Sequence, residues 1–399
     1  MKLLVYGINF APELTGIGKY TGEMVAWLAA RGHEVRVVTA PPYYPDWSVL
    51  PGYSGSRYAR EDWHGATVFR TPLWVPRKVT GLKRLVHLAS FALSSLPALL
   101  AQWRWKPDVV WVTEPPLFCS PAALAFARLR SAKAWLHIQD YEVDAAFELG
   151  LLKGDRVRSI VAATERGLMR RFDRISTISS HMMERASSKG TEAEGGVSLP
   201  YWADVSAVQP LRAASPYRAE LGIAHDAVVA LYSGNMGAKQ GLELLAEMAQ
   251  LLQGRPGLEF VFCGNGAGPA GLVVRCEELA NGPLLGSEPG ARLGDLLGLA
   301  DIHLLPQRAD AADLVMPSKL TGMLSSGRPV VAGARPETEL GKVASQCGIA
   351  VAPDDARAFA DAVLTLASQP DLRRELSLRA RAIAEANFDR DAVLARFEK

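Results

Sequence analysis

A lysine and three glycines spaced around a strand end give this chain its first chemical signal. Val228–Tyr232 is an apolar run with the composition of a buried parallel strand. It runs into Ser233-Gly234-Asn235-Met236-Gly237, then Lys239, then Gly241 ahead of Leu242, Leu244, Leu245 and Met248 at helical spacing. A strand that turns sharply into a helix aims free backbone N–H groups and the positive end of the helix dipole at one point. A lysine there adds a full charge, and together these can hold a diphosphate. An ordinary βα junction with a surface lysine fits the same stretch equally well. Gly264-Asn265-Gly266-Ala267-Gly268 is a second glycine turn, after the apolar strand Leu258–Cys263. Gly16 and Gly18 follow the first strand, where they either let a ligand approach the backbone or simply close a tight turn. Glu114, His137 and Asp140 fall at the carboxyl ends of predicted strands, the edge at which open α/β sheets bind ligands. His137 also fits a core histidine.

The elements that must position these residues follow a βα rhythm. Lys2–Gly7 is a short strand, Pro12–Gly18 a turn, Tyr20–Ala30 a helix stopped by Gly32, and Val35–Thr39 the next strand. The first turn lacks GxGxxG and the second strand ends in Thr39-Ala40-Pro41-Pro42 with no acid for a ribose, which argues against a nicotinamide dinucleotide. Tyr43–Arg70 reads as one long polar and aromatic loop. Strands Asp108–Thr113 and Lys133–His137, helix Pro121–Arg130 and a basic helix Arg156–Arg174 complete the first half. Leu199–Ala214 is the connection. The rhythm restarts with Val228–Tyr232 and continues through Asp301–Pro306, Pro329–Ala332 and two tail helices.

With 399 residues, 49% apolar and 22% charged, the chain has room for two globular domains, and a net charge of +2 gives no reason to expect nucleic acid. Cys119, Cys263, Cys276 and Cys347 show no CxxC or zinc spacing and read as buried small hydrophobes of a reducing compartment. The histidines form no HExxH, so neither a metal site nor a bound cofactor is expected. Leu3–Tyr6 is too short for the apolar core of a signal peptide. Arg77, Lys78, Lys83 and Arg84 precede Leu85–Ala101, which has no formal charge, and Trp103-Arg104-Trp105-Lys106 follows. A core helix, a helix at a membrane surface and a spanning helix all fit. The reading taken here is a core-packed helix whose basic and tryptophan-bearing rim rests on a membrane.

Several stretches together resemble a known family. They are Gly16-Ile17-Gly18 after the first strand, His137, Ser233-Gly234 with Lys239-Gln240-Gly241, Gly264-Asn265-Gly266, Ala300-Asp301-Ile302, and Gly327-Arg328-Pro329-Val330-Val331. In this order and over essentially the whole chain they resemble the family-4 retaining glycosyltransferases of the GT-B fold. MKLLVYGINFAPELTGIGKYTGEM, VVTAPPYYPDW, HIQDYEVDAAFELGLL, SGNMGAKQGLE and MPSKLTGMLSSGRPV resemble a narrower branch, the WcaI-type colanic-acid biosynthesis glycosyltransferases.

The resemblance implies an α/β fold of two Rossmann-like doubly wound domains facing across a cleft. The N-terminal one (residues 1–205) would bind acceptor and the C-terminal one (206–380) the nucleotide sugar, with a helix in 381–399 packing back toward the first. It implies sugar transfer with retention from a nucleotide-diphosphate donor, GDP-fucose in the narrower branch, without metal. The acceptor would be an undecaprenyl-diphosphate-linked saccharide, reached from the cytoplasmic face of the inner membrane, with Arg77, Lys78, Lys83 and Arg84 on the membrane and acceptor side. It carries over His137 near the reacting sugar with Asp140 on the same turn, and Lys239 on the diphosphate. Gly16, Gly18, Gly234, Asn235, Gly264, Asn265 and Gly266 would line the donor.

Two departures stand out. Asn235 occupies the place of the family's arginine, so one cation is missing; Lys319, in Pro317-Ser318-Lys319 with Ser318 as a helix N-cap, would cover the deficit. The family's Glu-x7-Glu pair is replaced by Leu314 and Gly322, leaving ribose recognition to Asp310, Asp313 or backbone. Two other readings stay open: a UDP-GlcNAc epimerase-like GT-B enzyme that needs no acceptor, and a nucleotide-sugar-binding subunit without catalysis.

Overall fold

The computed structural model describes residues 1–78, 80–141, 155–190, 196–236, 241–264, 292–308 and 316–398. They form two compact units, Met1–Leu199 and Pro200–Lys399. The division falls at Leu199, a few residues before the expected boundary at 205.

The first unit is built on a sheet ordered β3-β4-β2-β1-β5-β6-β7-β8. Its strands are β1 (Lys2–Tyr6), β2 (Glu34–Thr39), β3 (Ala59–Trp63), β4 (Ala66–Arg70), β5 (Val109–Glu114), β6 (Lys133–Ile138), β7 (Arg174–Thr177) and β8 (Gly196–Ser198). All neighbours are parallel except the β3–β4 pair. The central strands are apolar along almost their whole length because helices cover both faces. β1 pairs with β2 on one side and β5 on the other. The chain therefore leaves β1 in opposite directions across the sheet, which opens a crevice at the strands' carboxyl ends.

Two local expectations change. The stretch Tyr43–Arg70 is not one loop, since β3 and β4 form a hairpin across His64-Gly65. Both residues have positive φ (48° and 88°), the conformation a two-residue hairpin turn requires. The first helix, α1 (Gly16–Ala30), begins four residues before Tyr20, so Gly16 and Gly18 lie in its first turn rather than in the loop before it. The apolar segment after Arg77 forms α2 (Gly81–Ser94) and α3 (Leu96–Ala101), whose His87, Leu88, Phe91, Ala98 and Leu99 are buried. It is followed by α4 (Ser120–Arg130), α5 (Asp155–Met169) and α6 (Ser180–Ser188).

In the second unit α7 (Pro216–Glu220) precedes an all-parallel sheet ordered β10-β9-β11-β12-β13. The strands are β9 (Val228–Ser233), β10 (Leu258–Cys263), β11 (Ile302–Leu305), β12 (Val330–Gly333) and β13 (Gly348–Val351). Its switch point lies between β9 and β11. The helices are α8 (Leu242–Leu251), α9 (Leu293–Leu299), α10 (Lys319–Ser325), α11 (Glu339–Cys347), α12 (Ala356–Ser368), α13 (Pro370–Asn387) and α14 (Arg390–Glu398). Leu242, Leu245, Met248 and Ala249 on α8 pack with Phe359, Val363 and Leu366 of α12 over β9 and β10. Asp301 anchors the entry to β11: its Oδ2 accepts from Val229 N at 2.9 Å and from Arg218 Nη2 at 2.7 Å. The tail is bound into this unit. Arg381 donates to the carbonyls of Val205, Val208 and Ser325, and Arg390 pairs with Asp204 at 2.8 Å. Cys119, Cys263 and Cys347 are buried and form no disulfide among the described residues, and Cys276 lies outside them.

Candidate active site

In the second unit, two glycine turns meet at the carboxyl edge of the sheet. β9 and β10 end level, with Cys263 opposite Ser233, and the Gly234 N–H donates to Cys263 O at 2.9 Å. Gly234 and Gly264 have φ of 147° and 150°, and a Cβ on Gly264 would overlap the Gly234 carbonyl. Glycine is required here for the close approach of two backbones. Gly241 caps α8 in the left-handed region (φ 69°), a conformation costly for other residues. Its position approaches Pro306, Gln307 and Arg308 just beyond β11. Backbone from three strand ends thus comes close together at this edge.

Lys319 reaches this edge from the start of α10. Its Nζ lies 4.4 Å from the centre of the Tyr232 ring and donates to the Tyr232 hydroxyl at 3.3 Å. The Tyr232 hydroxyl in turn donates to Asn235 O at 2.7 Å. A Cβ on Gly234 would stand 3.3 Å from the ammonium, so the turn and the lysine are in contact. The residue is only partly buried, yet desolvation of its amine pushes the pKa down to about 7. An anion at this spot would restore the charge. Ser318 occupies the N-cap position but makes no capping bond, contrary to expectation. Its ψ of −26° is already helical, whereas a capping side chain reaches back from extended backbone. Lys239, Asn265, Gly266, Asp310, Asp313 and Leu314 lie outside the described residues.

In the first unit, His137 is on β6, level with Thr113 and Ser176. It is 4% exposed, its Nδ1 lies 2.9 Å from Ser176 Oγ, and its ring lies 5.0 Å from that of Trp111. Burial pushes its pKa down to about 3, so the imidazole is neutral at physiological pH, with one ring nitrogen a donor and the other an acceptor. Asp140, two residues beyond the strand, is half-buried at the carboxyl edge.

Across the same edge, the loop after β1 is tied to the loop after β2. Glu13 Oε1 accepts from the N–H groups of Tyr43 and Tyr44, each at 3.1 Å, and Asn9 Nδ2 donates to both Glu13 oxygens. Arg70, 2% exposed, donates to Ala11 O and Ala40 O and pairs with Glu61 at 2.6 Å. A Cβ on Gly18 would overlap the Glu13 carboxylate. The need for glycine at position 18 thus comes from packing against Glu13, whereas at Gly16 it comes from a φ of 59°. Glu13 and Tyr44 carry no motif of their own; the pair of carbonyl-end loops they join was the available signal.

Residues 15–202 match the glycosyl transferase 4-like domain and residues 227–369 the glycosyl transferases group 1 domain. All of the chain aligns at 45% identity with 98% of the colanic acid biosynthesis glycosyl transferase WcaI of Escherichia coli strain K12. This chain is a family-4 glycosyltransferase of the GT-B fold.

Solved structures agree on that fold. Sucrose-phosphate synthase from Thermosynechococcus elongatus superposes with a TM-score of 0.77 at 16% identity, covering 100% of this glycosyltransferase and 97% of that chain. Anabaena Alr3699/HepE in complex with UDP-glucose gives 0.71 at 14% identity, covering 100% and 98%. At the two departures from the family pattern, Asn235 presents its carbonyl to Tyr232. Gly322 lies inside α10 with the Leu297 side chain 3.3 Å from its Cβ position. Lys319 stands next to the Gly234 turn.

Proposed function

We propose that this glycosyltransferase moves a sugar, with retention, from a nucleotide-diphosphate donor to a lipid-linked saccharide in the assembly of a surface polysaccharide. The observation that carries the donor reading is the contact of Lys319 with the Gly234 turn at the switch point of the second sheet. As the glycosidic bond breaks, charge collects on the departing diphosphate, and a cation already in place lowers the barrier. Lys319 and backbone N–H groups supply that stabilisation without a resident metal. GDP-fucose, the donor implied by the resemblance to the narrower branch, is the first to test. A thermal-shift screen across GDP, UDP, ADP and their sugars is the deciding experiment. A shift with one base and its sugar is expected, and no shift with any would sink the donor reading.

The acceptor reading, an undecaprenyl-diphosphate-linked saccharide at the cytoplasmic face of the inner membrane, is supported by α2 and α3. Leu82, Val86, Leu93 and Leu100 are exposed, Leu82 by 74% and Leu93 by 69%. At about 100° per residue they fall within roughly 40° of one another, opposite the buried face of Phe91 and Leu99. A solvated outer face would be polar; this one is apolar along its length. Exposed Arg77, Lys78 and Lys83 flank one end, with Trp103, Arg104 and Lys106 at the other. Such a helix lies in a lipid interface with its cations at the headgroups. Co-sedimentation with vesicles should increase with anionic lipid and fall in a Leu82→Glu/Leu93→Glu variant; absence of binding at low salt rules the membrane out.

A further inference from the structure

The segment Pro41-Pro42-Tyr43-Tyr44-Pro45 leaves β2 at the crevice of the first unit, and the chemistry above makes no use of its side chains. Its two tyrosines differ. Tyr43 is buried, with its ring 4.8 Å from that of His87 and 5.6 Å from that of Trp47. Tyr44 keeps 36% of its surface in solvent although its backbone N–H is pinned by a buried carboxylate. Burying Glu13 is costly, and what its bonds secure is the placement of this one exposed ring. The ring edge lies 3.8 Å from where Gly16 would carry a Cβ, so glycine at 16 leaves the ring uncrowded.

Charges of opposite sign act on the Tyr44 hydroxyl. Burial and the Glu13 carboxylate push its pKa up, as does Asp140, while Arg84 opposes them. The structure thereby divides the basic quartet. Arg77, Lys78 and Lys83 are exposed, whereas Arg84 is half-buried, its charge is felt by Tyr43, Tyr44 and His87, and it forms no ion pair among the described residues.

A partly exposed aromatic ring with a pinned backbone, whose hydroxyl feels a carboxylate and a guanidinium, suits a carbohydrate phosphate. The C–H face of a pyranose packs on an aromatic ring, a carboxylate accepts a hydroxyl, and arginine holds phosphate oxygens bidentately. We propose that Tyr44 is the stacking platform for the acceptor's sugar, with Asp140 receiving one of its hydroxyls and Arg84 its diphosphate. Glu13 is the positioning residue of this subsite. The inference rests on the reading of the acceptor as a diphosphate-linked saccharide.

The test is calorimetric titration of the full-length protein with phenoxyundecyl diphosphate glucose, galactose and N-acetylglucosamine, and with the same glycosides lacking the diphosphate. Tyr44→Leu should weaken the best diphosphate probe more than tenfold and Tyr44→Phe less than threefold. Arg84→Met should weaken the diphosphate probe about tenfold and leave the phosphate-free glycoside unchanged. The nucleotide-induced thermal shift should survive in all three variants, separating this subsite from the donor site. Equal losses in Tyr44→Leu and Tyr44→Phe overturn stacking, and an Arg84→Met variant that binds the diphosphate probe like wild type overturns the diphosphate assignment. If wild type binds none of the three diphosphate probes, the acceptor reading falls and the subsite with it.

Discussion

The two sheet edges solve the same problem in opposite ways. In the second unit, position is set by backbone: Gly234, Gly264 and Gly241 bring strand ends close together, and among the described residues Lys319 brings a charge from a distant helix. In the first unit, position is set by buried side chains: Glu13 and Arg70 are taken out of water so that their hydrogen bonds can tie the loop after β1 to the loop after β2. A backbone-built edge tolerates no added atom. A charge-built edge tolerates isosteric change but answers to pH. Under the proposed function, the difference would suit an edge that fits one invariant group, a diphosphate, and another that orients side chains toward a variable saccharide.

Gly264→Ala should break the first half of this comparison most severely. The added methyl meets the Gly234 carbonyl at a φ reserved for glycine, and the cost should reach about 3 kcal/mol or more. Urea unfolding should show the second unit lost at lower denaturant; an unchanged profile would mean that the turns are not locked together. Next in size, Lys319→Ala should lower kcat/KM by on the order of 10²-fold in steady-state kinetics. A change within about twofold would remove Lys319 from the donor site.

The same lysine makes a pH prediction. Its pKa stands near 7 in the free protein, and an anionic diphosphate raises it, so donor binding takes up a proton above pH 7. Donor affinity should fall by up to tenfold per pH unit above 7. Calorimetry at pH 8 in buffers of different ionisation enthalpy should register uptake; proton release would contradict the assignment.

The smallest effect tests the first edge. Burial pushes Glu13 up from 4.5 to about 6 despite four hydrogen bonds. The folded state therefore binds its proton more tightly than the unfolded state. Stability contributed by the neutral form is present below pH 4.5 and lost as pH rises to about 6, leaving an ionised carboxylate that costs about 2 kcal/mol at pH 7. Glu13→Gln should accordingly melt no lower than wild type at pH 7 and lose part of the wild type's pH dependence between 4.5 and 6, while acceptor KM rises. A variant that loses stability and activity together would make Glu13 a purely structural residue.

Much of this was legible from the sequence, and the exceptions are instructive. The βα alternation, the near-continuous apolar strands and the division into two halves are local patterns, and they read correctly. The hairpin across His64-Gly65 carried a local signal too, two short strands around a glycine turn, but the polar, aromatic composition of Tyr43–Arg70 concealed it. Gly16 and Gly18 looked alike in sequence. One owes its glycine to backbone angle, the other to the side chain of Glu13, a distinction only packing draws. Ser318 had the right type for an N-cap but the wrong backbone angle.

By itself, then, the chain's sequence determined the periodicity of its elements, the glycines that end its strands and the family they belong to. These depend on neighbours a few residues apart, where propensity and turn chemistry act directly. Only the tertiary structure decided that Lys319 meets Tyr232, 87 residues away, and that Arg84 is half-buried where its neighbour Lys83 is exposed. Such meetings follow from strand order and from which helix face is buried, and those are settled by the packing of whole sheets.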